Sequence, residues 1–174
     1  MAADSNRTSF ITNIAFGLLR EGDDDVVRDV APRLMQLWSD RLDALAGDDP
    51  ELRAFSWWYS SGRLPEPEAT ILIVRTIQQT GGVVDDLRGC LDRAAAIAEA
   101  QPDAAANLLA ALLATEPGRD QLRLTGDRIP NLLRAITASG DAAARVRVVQ
   151  LIHELGEVGL GDHRDLMPGE DGGA

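Results

Sequence analysis

The sequence predicts an all-α fold of stacked antiparallel helical hairpins, a short α-solenoid, and three observations carry that reading. Apolar residues recur at helical spacing in nearly every segment between turn signals. Gly- and Pro-containing breakers separate those segments, at Gly47-Asp48-Asp49-Pro50, Gly81-Gly82, Gln101-Pro102 and Ser139-Gly140-Asp141. Two segments, residues 71–74 and 104–114, are apolar on almost every side, as a helix is when neighbours cover both its flanks. Hairpins begin near Pro50, Val84 and Arg128, a spacing within the ~34 to 47 residues of helical repeats, without residue-level identity between them. The competing arrangement is a compact helical bundle.

Taken in order, a first helix is predicted over residues 8–20, with Phe10, Ile14 and Leu18 on one stripe and Gly22 ending it. The run Asp23-Asp24-Asp25 opens a long helix to residue 46, because carboxylates complement the partial positive charge of a helix N-terminus. Pro32 lies inside it and should break or kink it. Beyond the proline, Leu34, Leu37, Trp38, Leu42 and Leu45 form an apolar face. Pro50 then suits a first turn capped by Asp48 or Asp49, in a helix that ends at Gly62. Further helices are expected over residues 68–79, 84–100, 103–115, 129–139 and 142–156. In the turn between the last two, Gly140 can take the left-handed position while Asp141 caps the final helix. Glu116-Pro117-Gly118 reads as a separator. Residues 1–166 therefore form a single helical repeat domain, and the acidic, glycine-containing residues 167–174 are expected to be disordered.

Composition excludes some functions. A net charge of −11 argues against a direct nucleic-acid binder, which needs a basic face, and against adsorption to anionic membranes. All 17 cationic residues are Arg, as a GC-rich coding genome would produce. Cys90 is the only cysteine, which fits a reducing cytoplasm, and its helical surroundings suit a small buried hydrophobe. No stretch approaches the apolar length of a membrane span.

The aromatic residues are concentrated: the chain has seven, and Phe55, Trp57, Trp58 and Tyr59 are four of them. On a helix, Phe55, Trp58 and Tyr59 share a face while Trp57 points about 100° away. Aromatics bury the most apolar area of any side chains, so the first reading is a core anchor. The second leaves an indole exposed as a binding hot spot, and the candidate partner-binding residues are then Trp57, Trp58, Tyr59 and, from the preceding helix, Trp38.

Chemistry is sparse. His153-Glu154-Leu155-Gly156-Glu157 starts like a zinc-protease helix, but Glu157 stands where the second histidine belongs. His153 flanks an apolar stripe and is expected to be a partly buried structural residue. His163-Arg164-Asp165 lacks the glycine-rich loop and lysine of a kinase, and residues 21–25 lack the alternating ligands of a calcium loop. Ser60 and Ser61 have no base nearby in sequence. No catalytic residue, metal or cofactor is expected, and the chain reads as a non-enzyme.

The pattern Phe55-x-Trp57-Trp58-Tyr59-x-Ser61-Gly62-Arg63 resembles the C-terminal helical region of large bacterial NTPase and SIR2-like antiphage-defence proteins. The turn Ala138-Ser139-Gly140-Asp141, the Arg-rich helix ending at Leu155-Gly156 and Arg164-Asp165-Leu166 resemble that region too, so the similarity spans residues 52–166. It implies a HEAT/ARM-like module that recognises a trigger or holds an assembly together while another domain does the chemistry. The chain is shorter than those proteins and starts at Met1, which leaves a stand-alone subunit and an excised domain both open. The leading expectation is a cytoplasmic helical-repeat scaffold or sensor with protein partners or self-association. The alternatives are an acidic mimic of nucleic acid that inhibits a DNA- or RNA-binding protein, and a helical domain binding a small ligand or peptide beside Trp57 and Trp58.

Overall fold

The computed structural model describes residues 2–161 and 163–166, all helix, turn and loop among those residues. Ten α-helices occur in order: α1 (Ala2–Arg20), α2 (Asp24–Ala44), α3 (Pro50–Ala54), α4 (Ser56–Ser60), α5 (Glu68–Gln79), α6 (Leu87–Ile97), α7 (Pro102–Leu113), α8 (Glu116–Leu122), α9 (Arg128–Ala138) and α10 (Ala142–Glu157), with a 3-10 turn at Arg164–Leu166. They form two layers. In one, α1 packs on α3 and α4, α4 on α6, and α6 on α9; in the other, α2 packs on α5, α5 on α7, and α7 on α10. The layers meet where α4 faces α5, α6 faces α7 and α9 faces α10, so the chain runs as a stack of helix pairs. The expected acidic tail, 167–174, lies outside the described residues.

Local chemistry sets most of the boundaries. Asp23, Asp49, Asp86 and Asp141 cap α2, α3, α6 and α10, each carboxylate accepting a backbone N–H of the first turn. Gly140, with φ of 76°, takes the left-handed position between α9 and α10. Three expectations change. α2 continues through Pro32, whose ring stands on the exposed side, where the carbonyl it deprives of a partner can bond water. The aromatic helix is two short ones, interrupted at Phe55, although Phe55 keeps near-helical angles. Glu116-Pro117-Gly118 is no separator: it is the first turn of α8. Thr115 caps that helix, its hydroxyl accepting from the Gly118 N–H, and Pro117 needs no donor so early in a helix.

The repeat hidden in the sequence is visible in the polar ties between pairs. The Gln79 amide donates to the Leu45 carbonyl, and Thr115 Oγ1 donates to the Gly81 carbonyl, each across 34 residues. Gln121 accepts from the Val84 N–H and donates to the Val84 carbonyl, across 37. Arg88 donates to the Leu124 carbonyl and Arg128 to Asp92, both across 36. A register of about 36 residues, repeated from pair to pair, is what a stack of equivalent hairpins requires. α7 occupies its centre, with Ala105, Ala106, Leu108, Leu109 and Leu112 fully buried. The small residues let neighbours approach closely. Gly82 is one such close approach, because a Cβ there would lie 2.7 Å from the Gly118 Cα and 2.8 Å from its nitrogen.

Gly82 also holds φ at 90°, which disfavours any side chain. Gly82→Ala is therefore expected to cost about 2–4 kcal/mol in urea unfolding, from backbone strain and overpacking together. A loss below about 0.5 kcal/mol would show that the α5–α6 turn and α8 are not in this contact.

Candidate functional site

The aromatic cluster divides at Trp57. Trp38, Phe55 and Trp58 are wholly inaccessible to solvent. The Trp38 and Phe55 rings stack, 5.3 Å apart and 9° from parallel, and Trp58 meets Phe55 edge-on at 4.9 Å. Both buried indoles have a partner for their N–H, Trp58 donating to the Ile11 carbonyl at 2.7 Å and Trp38 to Thr76 Oγ1 at 3.0 Å. Tyr59 is buried as well, its hydroxyl 3.3 Å from that of Thr70, which donates to Glu66. Of the four candidate partner-binding residues, the structure thus encloses Trp38, Trp58 and Tyr59 in the core, where none can touch a partner. The reason is spacing: the face shared by Phe55, Trp58 and Tyr59 is the one that α1, α2 and α5 cover. Trp57 alone points outward, half-buried, with Phe16 of α1 tilted against it at 6.1 Å.

Phe16 belongs to a wider apolar surface that the sequence did not disclose. Among the described residues, eight large hydrophobics are exposed, and five of them, Phe10, Phe16, Leu19, Val26 and Val30, lie on α1 and α2. These helices pack on their successors in each layer rather than on one another, so an open groove of about 340 Å³ runs between them. Ile14, Gly17, Leu18, Val26, Val30 and Leu34 line it, and Glu21 at one end is its only charged residue. Further along, Phe10 and Leu37 flank a second hollow beside Arg7 and Arg41. The available signal was the breadth of α2's apolar surface: Val27, Ala31, Trp38 and Leu42 inside, Val26 and Val30 outside, and Leu34 and Leu37 partly buried between them. One stripe suffices for an end helix.

The charged residues mostly serve the scaffold. Arg41 grips the buried Glu51 through two hydrogen bonds of 2.6 and 2.8 Å, and that contact raises the Arg41 pKa. Arg63 reaches Asp24, and Arg75 reaches Asp43, each joining neighbouring pairs. Cys90 is fully buried with its thiol toward the Ser56 carbonyl, and burial holds it protonated. Desolvation raises Asp85, against the opposing pull of Arg53. His153, expected to be partly buried, is exposed, because it stands on the outer flank of α10 at the end of the layer. No group of three or more His, Cys, Asp or Glu among the described residues could hold a metal ion. No described helix is long and apolar enough to cross a membrane. Compared with protein families, curated proteins and solved structures, the chain shows no match.

Two outcomes check this division of the cluster. Trp58→Ala should cost about 3–5 kcal/mol of stability, and Trp57→Ala only about 1 kcal/mol, when both are read by urea unfolding. Equal losses would mean that Trp57 is core. Burial, the largest influence on it, also holds the Tyr59 phenol protonated well beyond its usual range. The native state thus keeps a proton that the unfolded chain releases above about pH 10, and stability must fall as pH rises past that value. Tyr59 is the sole tyrosine, so tyrosinate absorbance reports on it alone. It should appear together with unfolding, and a native protein that ionised near pH 10 would place the phenol in water.

Proposed function

We propose that the chain is a non-catalytic helical-repeat module, of HEAT-like kind, that works by protein–protein contact as a scaffold or sensor. One observation carries the reading: the exposed large apolar side chains gather on one end pair, α1 and α2, with Trp57 beside them. Contiguous apolar surface on a protein this small marks an interaction site. The polar side chains give the reading further support, since those best placed for chemistry are engaged in holding pairs together. Thr76 binds an indole, Thr115 and Gln121 bind backbone, and Glu51 binds Arg41. The proposed setting, a bacterial antiphage-defence assembly in the cytoplasm, rests on the sequence resemblance over residues 52–166 alone.

The acidic-mimic alternative draws less support, because ion pairs with Arg engage carboxylates at Asp24, Asp43, Glu66 and Asp92. A ligand site beside Trp57 and Trp58 also draws less support, because Trp58 is fully buried and only Trp57 reaches the surface.

A photo-crosslinking residue placed at Phe16 in the native host should yield a defined protein adduct, whether with another protein or with the chain itself. The same residue at Asn107, exposed on α7, should yield none. Equal labelling at both positions, or none at Phe16, would sink the proposal.

A further inference from the structure

The geometry points to a second copy of this chain as the partner of the α1–α2 groove, in a twofold dimer with antiparallel α1 helices. The inference rests on the interaction reading above and goes beyond it by naming the surface and its occupant.

Three features of the groove select that occupant. The first is charge. Glu21 stands at one end and Arg7 near the other, with apolar residues between. Ile14 lies midway between them in sequence. A twofold axis passing near Ile14 sets each Arg7 beside the other protomer's Glu21, so the surface complements itself. In a chain of net charge −11, the mid-groove is also a place where two copies meet without opposing like charges.

The second is shape. Gly17 sits in the last turn of α1 and is exposed, and an added Cβ there would meet nothing within 4 Å. The monomer thus has no steric need for glycine, which even near a helix end favours α1 less than alanine would. The same axis lays Phe10 of one protomer over Gly17 of the other. Phe10 is 56% exposed, and the bare backbone of Gly17 gives its ring a seat.

The third is area. Val26 and Val30 are 46% and 38% exposed, while Ile14, Leu34 and Leu37 are half-buried. With Phe10 they present roughly 350 Å² of apolar surface per protomer. Apolar atoms make up about 65% of homodimer interfaces, so covering these side chains completely gives a contact of roughly 1,100 Å² in total, just past the ~1,000 Å² that a specific interface should clear. The opposite end of the stack is different, because the 3-10 turn at Arg164–Leu166 packs against α9 there, with Leu160 and Leu166 drawn onto the core.

Sedimentation equilibrium of the full chain tests this. The expected mass is twice 18.7 kDa. Phe10→Asp should return the mass to that of one chain. So should Gly17→Leu, which fills the seat while favouring the helix, and both should leave the circular dichroism unchanged. Arg7→Glu and Glu21→Arg should each weaken the dimer at least tenfold, and the double variant should restore it, as only a pairing in trans allows. A wild-type monomer at the highest soluble concentration overturns the inference, as does a dimer that survives both Phe10→Asp and Gly17→Leu. A monomer that still crosslinks to another protein from Phe16 would overturn the second copy and leave the interaction reading standing. A monomer that crosslinks to nothing would remove both.

Discussion

The buried hydrogen bond from the Trp58 indole to the Ile11 carbonyl is the contact on which the N-terminal half of the stack depends. An indole N–H without a partner in a dry interior costs about 1–3 kcal/mol, so Trp58 can be buried only where a carbonyl is available. Ile11 supplies one from the middle of α1. Trp38 meets the same requirement through Thr76, whose own hydroxyl donates to the Leu72 carbonyl. Since Trp38 and Trp58 both pack on Phe55, the two N–H groups bind α1, α2, α4 and α5 into one unit. Shape and polarity are satisfied by the same few side chains. That leaves little freedom for α1 to shift relative to α4.

From α6 onward no aromatic is present, and the stack is held by other means. Leu and Ala fill the interior, and the small residues of α7 let five neighbouring helices approach it. Close approach brings the turns of successive pairs together, where backbone groups at helix ends would lack partners. Side-chain amides and hydroxyls meet that need. Gln121 satisfies both backbone groups of Val84, and Thr115 caps α8 while binding the Gly81 carbonyl. These ties fix register more than they add stability, since a net hydrogen bond contributes only about 1 kcal/mol. Their similar sequence spacing, 34 to 37 residues, is the regularity that links one helix pair to the next. It is a repeat of contacts rather than of residues.

That distinction explains how much of the fold is legible in the sequence. Helical periodicity locates α5, α9 and α10 almost to the residue, because local signals such as Asp141 and Gly140 determine where they end. The α8 segment misleads because Pro117-Gly118 carries two meanings: after Thr115 it is a first turn, and elsewhere it is a break. No single-sequence pattern shows that Gly118 must face Gly82. Among the candidate contact residues, periodicity separates Trp57 from its neighbours correctly by direction. It cannot say that α1 covers the other face, which depends on pairing across 47 residues. The groove is illegible for a related reason. An apolar stripe reads the same whether its cover is another helix of the chain or nothing at all.

The two sides of α1 and α2 bear on one another. Their inner stripes are committed to the aromatic core by contacts that are both packed and hydrogen-bonded, and on the outer side Ile14, Leu34 and Leu37 still pack partly against that core. Val26 and Val30 stay 46% and 38% exposed, so a polar residue at either would cost the monomer less packing than one on the inner stripe. Gly17 makes the same point in the opposite sense, since alanine would strengthen α1 at no steric cost. These positions share one groove with Phe10 at its margin, and each departs from what the isolated fold favours. Scattered apolar residues on a surface need no explanation. A contiguous set, on helices already anchored from behind, is the feature of this surface that the proposed docking of a second copy accounts for.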